Sequence, residues 1–258
     1  MTSQGHAAAA ELALTGERTG PGIPAENYWF RRHEIAYVAL AERCAGAVVL
    51  EAGCGEGYGA NVLASTAATV IAMDYDEPAI RHAATAYPVV TGVRGNLCCL
   101  PARSAGIDVV ANFQVIEHLA DQAGFLAECF RVLRPGGSLL LSTPNRITFS
   151  PGRTTPLNPF HTRELSPDEL AELLRDAGFD IQLLHGVHHG PTLRALDAKH
   201  GGSLIDAQLA ALLGTLPGAG TLPPSLHRDV ESVRAEDFVI HGADLDVSLD
   251  LLAVAVRP

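Results

Sequence analysis

The sequence predicts an α/β chain, a seven-stranded, mostly parallel sheet with helices on both faces and a helical cap inserted before the last strand. Three observations carry that prediction. Short runs rich in Val, Leu, Ile and Ala, apolar on both faces, alternate with stretches of helical period, the pattern of a sheet covered on both sides. The first such run stops at a glycine cluster, and the second ends in acids. The alternation breaks over 188–247, which holds several glycines and prolines, and resumes only at 249–256. A length of 258 residues suits one large domain, and 47% hydrophobic against 18% charged residues argues against disorder.

The elements follow in order. Residues 1–25 are rich in Ala, Gly, Pro and Thr without a sustained period and are expected to form a mobile arm, leaving 26–258 as the folded domain. A helix over 26–42 carries Trp29, Phe30, Ile35, Val38 and Leu40. Strands are predicted at 48–51, 70–74, 89–93 and 108–113, with helices at 60–65, 78–87 and 122–133. The turn Arg134-Pro135-Gly136-Gly137 leads into a strand at 138–142. A helix over 167–177 closes at Gly178, and a strand follows at 181–184. The cap region 188–247 shows helical patterns at 204–213 and 226–233 before the last strand.

Composition excludes several function classes. No apolar run approaches the ~20 residues that span a bilayer, and no basic flank with an apolar h-region opens the chain. The net charge of −11 argues against nucleic acid or an anionic membrane as partner. Five cysteines without paired spacing read as reduced thiols of a cytoplasmic protein. Lys199 is the one lysine, in a poor context for Schiff-base chemistry.

The glycine cluster is Glu51-Ala52-Gly53-Cys54-Gly55-Glu56-Gly57-Tyr58-Gly59, where a strand turns into a helix. Glycine there permits a tight turn and close approach to a ligand. Residues 55–60 also fit a loose dinucleotide fingerprint, with Asp74 near the distance of a ribose acid, so a nicotinamide-dependent dehydrogenase is one reading. Glu51 argues against it, since an acid at that strand end repels a pyrophosphate and suits a cationic amino-acid moiety. Asp74 can accept from both ribose hydroxyls, Tyr75 can cover an adenine face, and Asn96 can bond its edge. With Leu133-Arg134-Pro135-Gly136-Gly137 before the fifth strand, the set resembles the class I S-adenosylmethionine-dependent methyltransferases over about residues 42–179. The resemblance implies a Rossmann-like fold and S-adenosyl-L-methionine bound by Glu51, Gly53, Gly55, Gly57, Asp74, Tyr75, Asn96, Leu97 and Phe113. Asn96 stands where the family often has Asp, keeping the acceptor and losing the charge.

Methyl transfer to a hydroxyl needs a base or a metal to handle its proton. Gln114-Val115-Ile116-Glu117-His118 resembles the Glu-x-x-Glu-His segment of a subset that includes ubiquinone-type and small-RNA 2′-O-methyltransferases, whose acids and histidines hold a divalent cation. That resemblance implies Mg²⁺ or Mn²⁺ on Gln114, Glu117, His118 and His161, with Glu117, His118 and His161 catalytic. Gln114 replaces the first acid and lowers the charge of the site. A metal-free base, His118 or His161, is the alternative. Candidate acceptor contacts are Tyr28, Trp29 and Arg32, within the aromatic–basic stretch 28–33, and Asn145 and Arg146 after the fifth strand.

Segments outside these motifs, Leu14 to Thr19 with Glu26 to His33, Ser142 to Arg153, and His189 to Ser203, resemble the actinobacterial, chiefly mycobacterial, methyltransferases of polymethylated polysaccharides. The implied acceptor is a partly methylated oligosaccharide, first the 1-hydroxyl of 3-O-methylmannosides in methylmannose polysaccharide, otherwise a 6-hydroxyl in methylglucose lipopolysaccharide. A quinone or phenol acceptor and a non-catalytic cofactor-binding role are the rival readings. No nucleic acid or membrane partner is expected, and a homodimer is compatible with the sequence.

Overall fold

The computed structural model describes residues 18–212 and 221–258. Most of the predicted arm, the motif start at Leu14, and the end of the helix expected over 204–213 lie outside them. The strands are β1 (Val48–Ala52), β2 (Thr69–Asp74), β3 (Thr91–Arg94), β4 (Ile107–Phe113), β5 (Leu133–Pro144), β6 (Asp180–His189), β7 (Phe238–His241) and β8 (Asp250–Val256). They form one sheet in the order β3-β2-β1-β4-β5-β8-β6-β7. Pairs among β1 to β5 are parallel; β5–β8, β8–β6 and β6–β7 are antiparallel. The fold is thus the expected Rossmann-like α/β fold, with a mixed sheet.

The count of seven strands is corrected to eight. Phe238–His241 lies inside the stretch expected to be helical, and pairs with β6 from His189↔Phe238 to Gly186↔His241. Four residues between acids and a glycine give too short a period for sequence to register. The strand predicted at 181–184 runs instead over Asp180–His189, so His185, His188 and His189 are strand residues.

Helices α1 (Asn27–Leu40), α2 (Tyr58–Leu63), α3 (Glu77–Ala86), α4 (Gln122–Val132), a single turn α5 (Arg146–Phe149) and α6 (Pro167–Asp176) accompany the sheet. One apolar cluster centres on Leu126, Leu139, Leu141 and Leu170, and a second on Tyr37, Leu63, Val70 and Leu140. Leu140 and Leu141, adjacent on β5, fall in different clusters because successive strand side chains point to opposite faces. A third cluster joins α7 (Pro191–Lys199), α8 (Leu204–Leu212) and α9 (Pro224–Ser232) to Tyr28 of α1 and Val187 of β6. No helix among the described residues is long and apolar enough to cross a membrane.

One polar tie fixes α1 to the sheet. Arg32 Nε and Nη2 donate to the two Asp250 oxygens at 2.7 Å each, and Nη2 also donates to the Leu249 carbonyl at 2.8 Å. Both side chains are almost fully buried, so each charge depends on the other for its solvation.

Candidate active site

The carboxyl ends of β1, β2 and β4 open into a cavity of about 400 Å³, within the range of small-molecule sites. After β1 the chain passes through Gly53, Gly55 and Gly57 at φ of +94°, +52° and +97° before α2 begins. Gly53 and Gly57 are the least replaceable of the three, since a Cβ would also meet Val115 and Ala83 respectively at 2.6 Å. Asp74, the last residue of β2, binds this loop to the next one. Its Oδ2 accepts from Gly55 N–H at 2.9 Å and its Oδ1 from Asp76 N–H at 2.9 Å.

The cavity wall contains Gly53, Gly55, Asp74, Tyr75, Asn96, Leu97 and Phe113 of the predicted cofactor set, and Gln114 and His118 of the predicted metal set. Glu51 and Gly57 are not on that wall. Glu51 is fully buried at the end of β1, and neither carboxylate oxygen has a hydrogen-bond partner of ordinary geometry. Burial pushes its carboxyl up to about 8, with Asp74 adding to the rise; the Tyr37 hydroxyl and the Ala60 amide oppose it in part. A buried acid short of a partner, beside a ring of glycines and a ribose-type acid, fits the sulfonium donor with its cationic amino-acid end. Gln114 holds φ at +57°, unusual for a residue with a side chain, and its N–H bonds the Ser142 carbonyl at 2.9 Å.

Beside the cavity, Glu117, His118 and His161 come together, with one ligand atom from each within 4.8 Å of the others. Glu117 is buried and accepts from the Thr143 hydroxyl at 2.9 Å; burial pushes its carboxyl up to about 8. His118 Nδ1 lies 3.1 Å from the Phe160 carbonyl, which can only accept, so Nδ1 carries the proton and Nε2 the lone pair. His161 Nδ1 faces Glu164 Oε1 at 2.7 Å, and its Nε2 accepts from Asn158 Nδ2 at 3.1 Å. A carboxylate and two imidazoles make a donor set that fits a divalent cation once Asn158 Nδ2 gives up His161 Nε2, and the carboxylate behind His161 is the usual orienting partner.

The acceptor candidates separate. Tyr28 is fully buried and donates to His189 Nε2 at 2.7 Å, while Arg32 is spent on Asp250. Asn145 is buried and caps α5, accepting from Ile147 N–H at 3.1 Å and donating to the Leu245 and Ser248 carbonyls. None of the three lines the cavity, and Trp29 packs edge-on against Tyr28. Arg146 lines a separate cavity.

Other wall residues were outside the predicted set: Arg18, Thr19, His33, Tyr37, Tyr58 and Phe160 among them. Arg18 forms an ion pair with Asp76 at 2.8 Å, so residues 18 and 19, assigned to the arm, form part of the wall. His33 was visible in the aromatic–basic stretch, but sequence does not say which of its members faces a ligand. Burial pushes His33 down to about 4, with Arg32, His118 and His161 adding to the fall and Asp250 opposing it, so it is neutral at pH 7.

Comparison with known proteins agrees with this geometry. Residues 50–141 match the model of a methyltransferase domain family. A "Probable S-adenosylmethionine-dependent methyltransferase" of Mycolicibacterium smegmatis is 57% identical over the full length of both chains. A ubiquinone biosynthesis O-methyltransferase of Thiobacillus denitrificans is 32% identical over 71% of this chain and 88% of its own. Among solved structures, an S-adenosylmethionine-dependent methyltransferase from Mesorhizobium loti superposes with a TM-score of 0.55 over 88% of this chain and 98% of its own, at 19% identity, which shows the shared fold. With the glycine loop, Glu51 and Asp74 in place, the nicotinamide reading falls away: the chain belongs to the class I S-adenosylmethionine-dependent methyltransferases.

Proposed function

We propose that this chain is a cytoplasmic O-methyltransferase acting on a sugar hydroxyl of a partly methylated oligosaccharide, with a divalent cation at Glu117, His118 and His161. The preferred acceptor is the 1-hydroxyl of a 3-O-methylmannoside; a 6-hydroxyl of a methylglucoside is the alternative within sugars. The observation that carries the reading is the convergence of Glu117, His118 and His161 beside a cavity whose wall also holds the donor residues.

The donor supplies an electrophilic methyl group, and a bound Mg²⁺ or Mn²⁺ would make the acceptor hydroxyl more acidic. The chain's residues supply position and proton handling. Asp74 and the glycine loop would hold the ribose and amino-acid ends, with Tyr75, Asn96 and Leu97 around the base. His118 Nε2 carries the lone pair that would hold the cation; with no cation bound, the same nitrogen is the one placed to take the hydroxyl proton. Attack of the hydroxyl oxygen forms the new O–C bond as the S–C bond breaks, and the thioether leaves. Phe160 and Leu157, both large and exposed at 42% and 47%, supply apolar area that suits methylated sugar faces. A quinone or phenol acceptor is the second reading, favoured by the likeness to a ubiquinone biosynthesis O-methyltransferase.

Transfer of a labelled methyl group from S-adenosylmethionine to 3-O-methylmannosides, methylglucosides and catechols tests the proposal. Label on the methylmannoside, lost in EDTA and restored by Mg²⁺, is the expected result. Label on catechols alone rejects the sugar acceptor, and full turnover in chelator rejects the cation.

A further inference from the structure

Residues 160–164 stand between two cavities. Phe160 faces the first, and Thr162, Arg163 and Glu164 line a second of about 440 Å³. Arg146, Arg153 and Arg163 converge on this second space, with Glu164 and Glu169 as its acids. Arg146 is paired with Glu169 at 3.1 Å. Arg153 and Arg163 have no ion pair among the described residues, in a chain whose net charge is −11. Glu164 is buried; its Oε1 holds His161 Nδ1, and its Oε2 has no hydrogen-bond partner.

We infer that this second cavity is a subsite for a hydroxylated anion, a carboxylate or phosphate carried on a polyol. Each half of that description answers a feature of the wall. Two unpaired guanidiniums call for an anionic oxygen group, which they can grip with paired N–H donors. A buried carboxylate oxygen without a donor calls for a hydroxyl, and it repels a bare anion. A sugar acid or sugar phosphate satisfies both sides; a neutral sugar or inorganic phosphate satisfies one. Because Glu164 also orients His161, the ligand in this subsite touches the same carboxylate that positions the candidate catalytic histidine. The inference rests on the methyl-transfer reading of the first cavity for what lies next door, and deepens it by giving the acceptor one anionic end.

Calorimetric titration of the full chain at constant ionic strength tests it, with D-glucuronate, D-glucose 6-phosphate, methyl glucoside and inorganic phosphate as probes. The two charged sugars distinguish a carboxylate from a phosphate, and saturable binding of either one is expected. That binding should be at least tenfold tighter than for methyl glucoside and inorganic phosphate. It should weaken at least tenfold in R153Q/R163Q, whose exposed positions leave folding and S-adenosylhomocysteine binding unchanged. Equal affinity for charged and neutral sugars, or unchanged binding in the variant, overturns the subsite. So does competition of the probe with S-adenosylhomocysteine, which would put the anion in the first cavity. Failure of S-adenosylhomocysteine to bind the wild type strikes the methyl-transfer reading instead and is read independently.

Discussion

Replacing Glu51 by Gln separates the cost of a buried acid from its use. The folded chain holds the Glu51 carboxyl at about 8 against an ordinary 4.5. Folded protein therefore binds this proton more tightly than unfolded protein, and the associated stability is full below pH 4.5 and lost as pH rises to about 8. At about 1.4 kcal/mol per unit, the loss reaches roughly 5 kcal/mol as an upper bound. Gln cannot ionise, so Glu51→Gln should match the wild type near pH 5 and exceed it by several kcal/mol at pH 8.5. Urea unfolding at pH 5, 6.5 and 8.5 without ligand reads this directly. The donor reverses the sign. A cation about 6 Å from the ionised carboxylate, at an effective dielectric of ~20, gains roughly 3 kcal/mol. S-adenosylhomocysteine, which keeps the ammonium, should then bind the variant on the order of 100-fold more weakly at pH 8.5. A variant whose advantage over the wild type is no larger at pH 8.5 than at pH 5, with unaltered affinity, would refute the reasoning.

Three further outcomes follow from the same geometry. Asp74→Ala should weaken S-adenosylhomocysteine binding and also cost about 1–3 kcal/mol of stability, because the Gly55 and Asp76 N–H groups lose their acceptor; calorimetry and denaturation read the two effects. Glu117→Gln should abolish methyl transfer at any Mg²⁺ concentration while leaving S-adenosylhomocysteine affinity within a few-fold of the wild type, measured side by side. Arg32→Met should destabilise the fold by about 3–5 kcal/mol through the stranded Asp250 charge, with Arg32→Met/Asp250→Leu recovering part of the loss in thermal melts.

How much of this was legible depended on whether a signal was local. The glycine loop, Asp74 and the Gln114–His118 segment lie at strand ends, where the strand pattern itself places them at the ligand-binding edge, and the structure gathers them there. The roles of Tyr28 and Arg32 were not legible, because an aromatic–basic helix does not declare which face is buried. The partners that decide it, His189 and Asp250, lie 161 and 218 residues away. Asn145 misled for another reason. A polar residue after a strand can bind a ligand or cap a short helix, and here the cap wins with a side chain wholly enclosed. His33 shows the converse, a residue in the flagged stretch that does reach the cavity.

The sharpest measurement is a crystal structure of the chain with S-adenosylhomocysteine. The expected density has the ribose hydroxyls on Asp74, the adenine among Tyr75, Asn96 and Leu97, the ammonium towards Glu51, and the sulfur facing Gln114 and His118. Density for the ligand at any other site, or with its ribose away from Asp74, would contradict it.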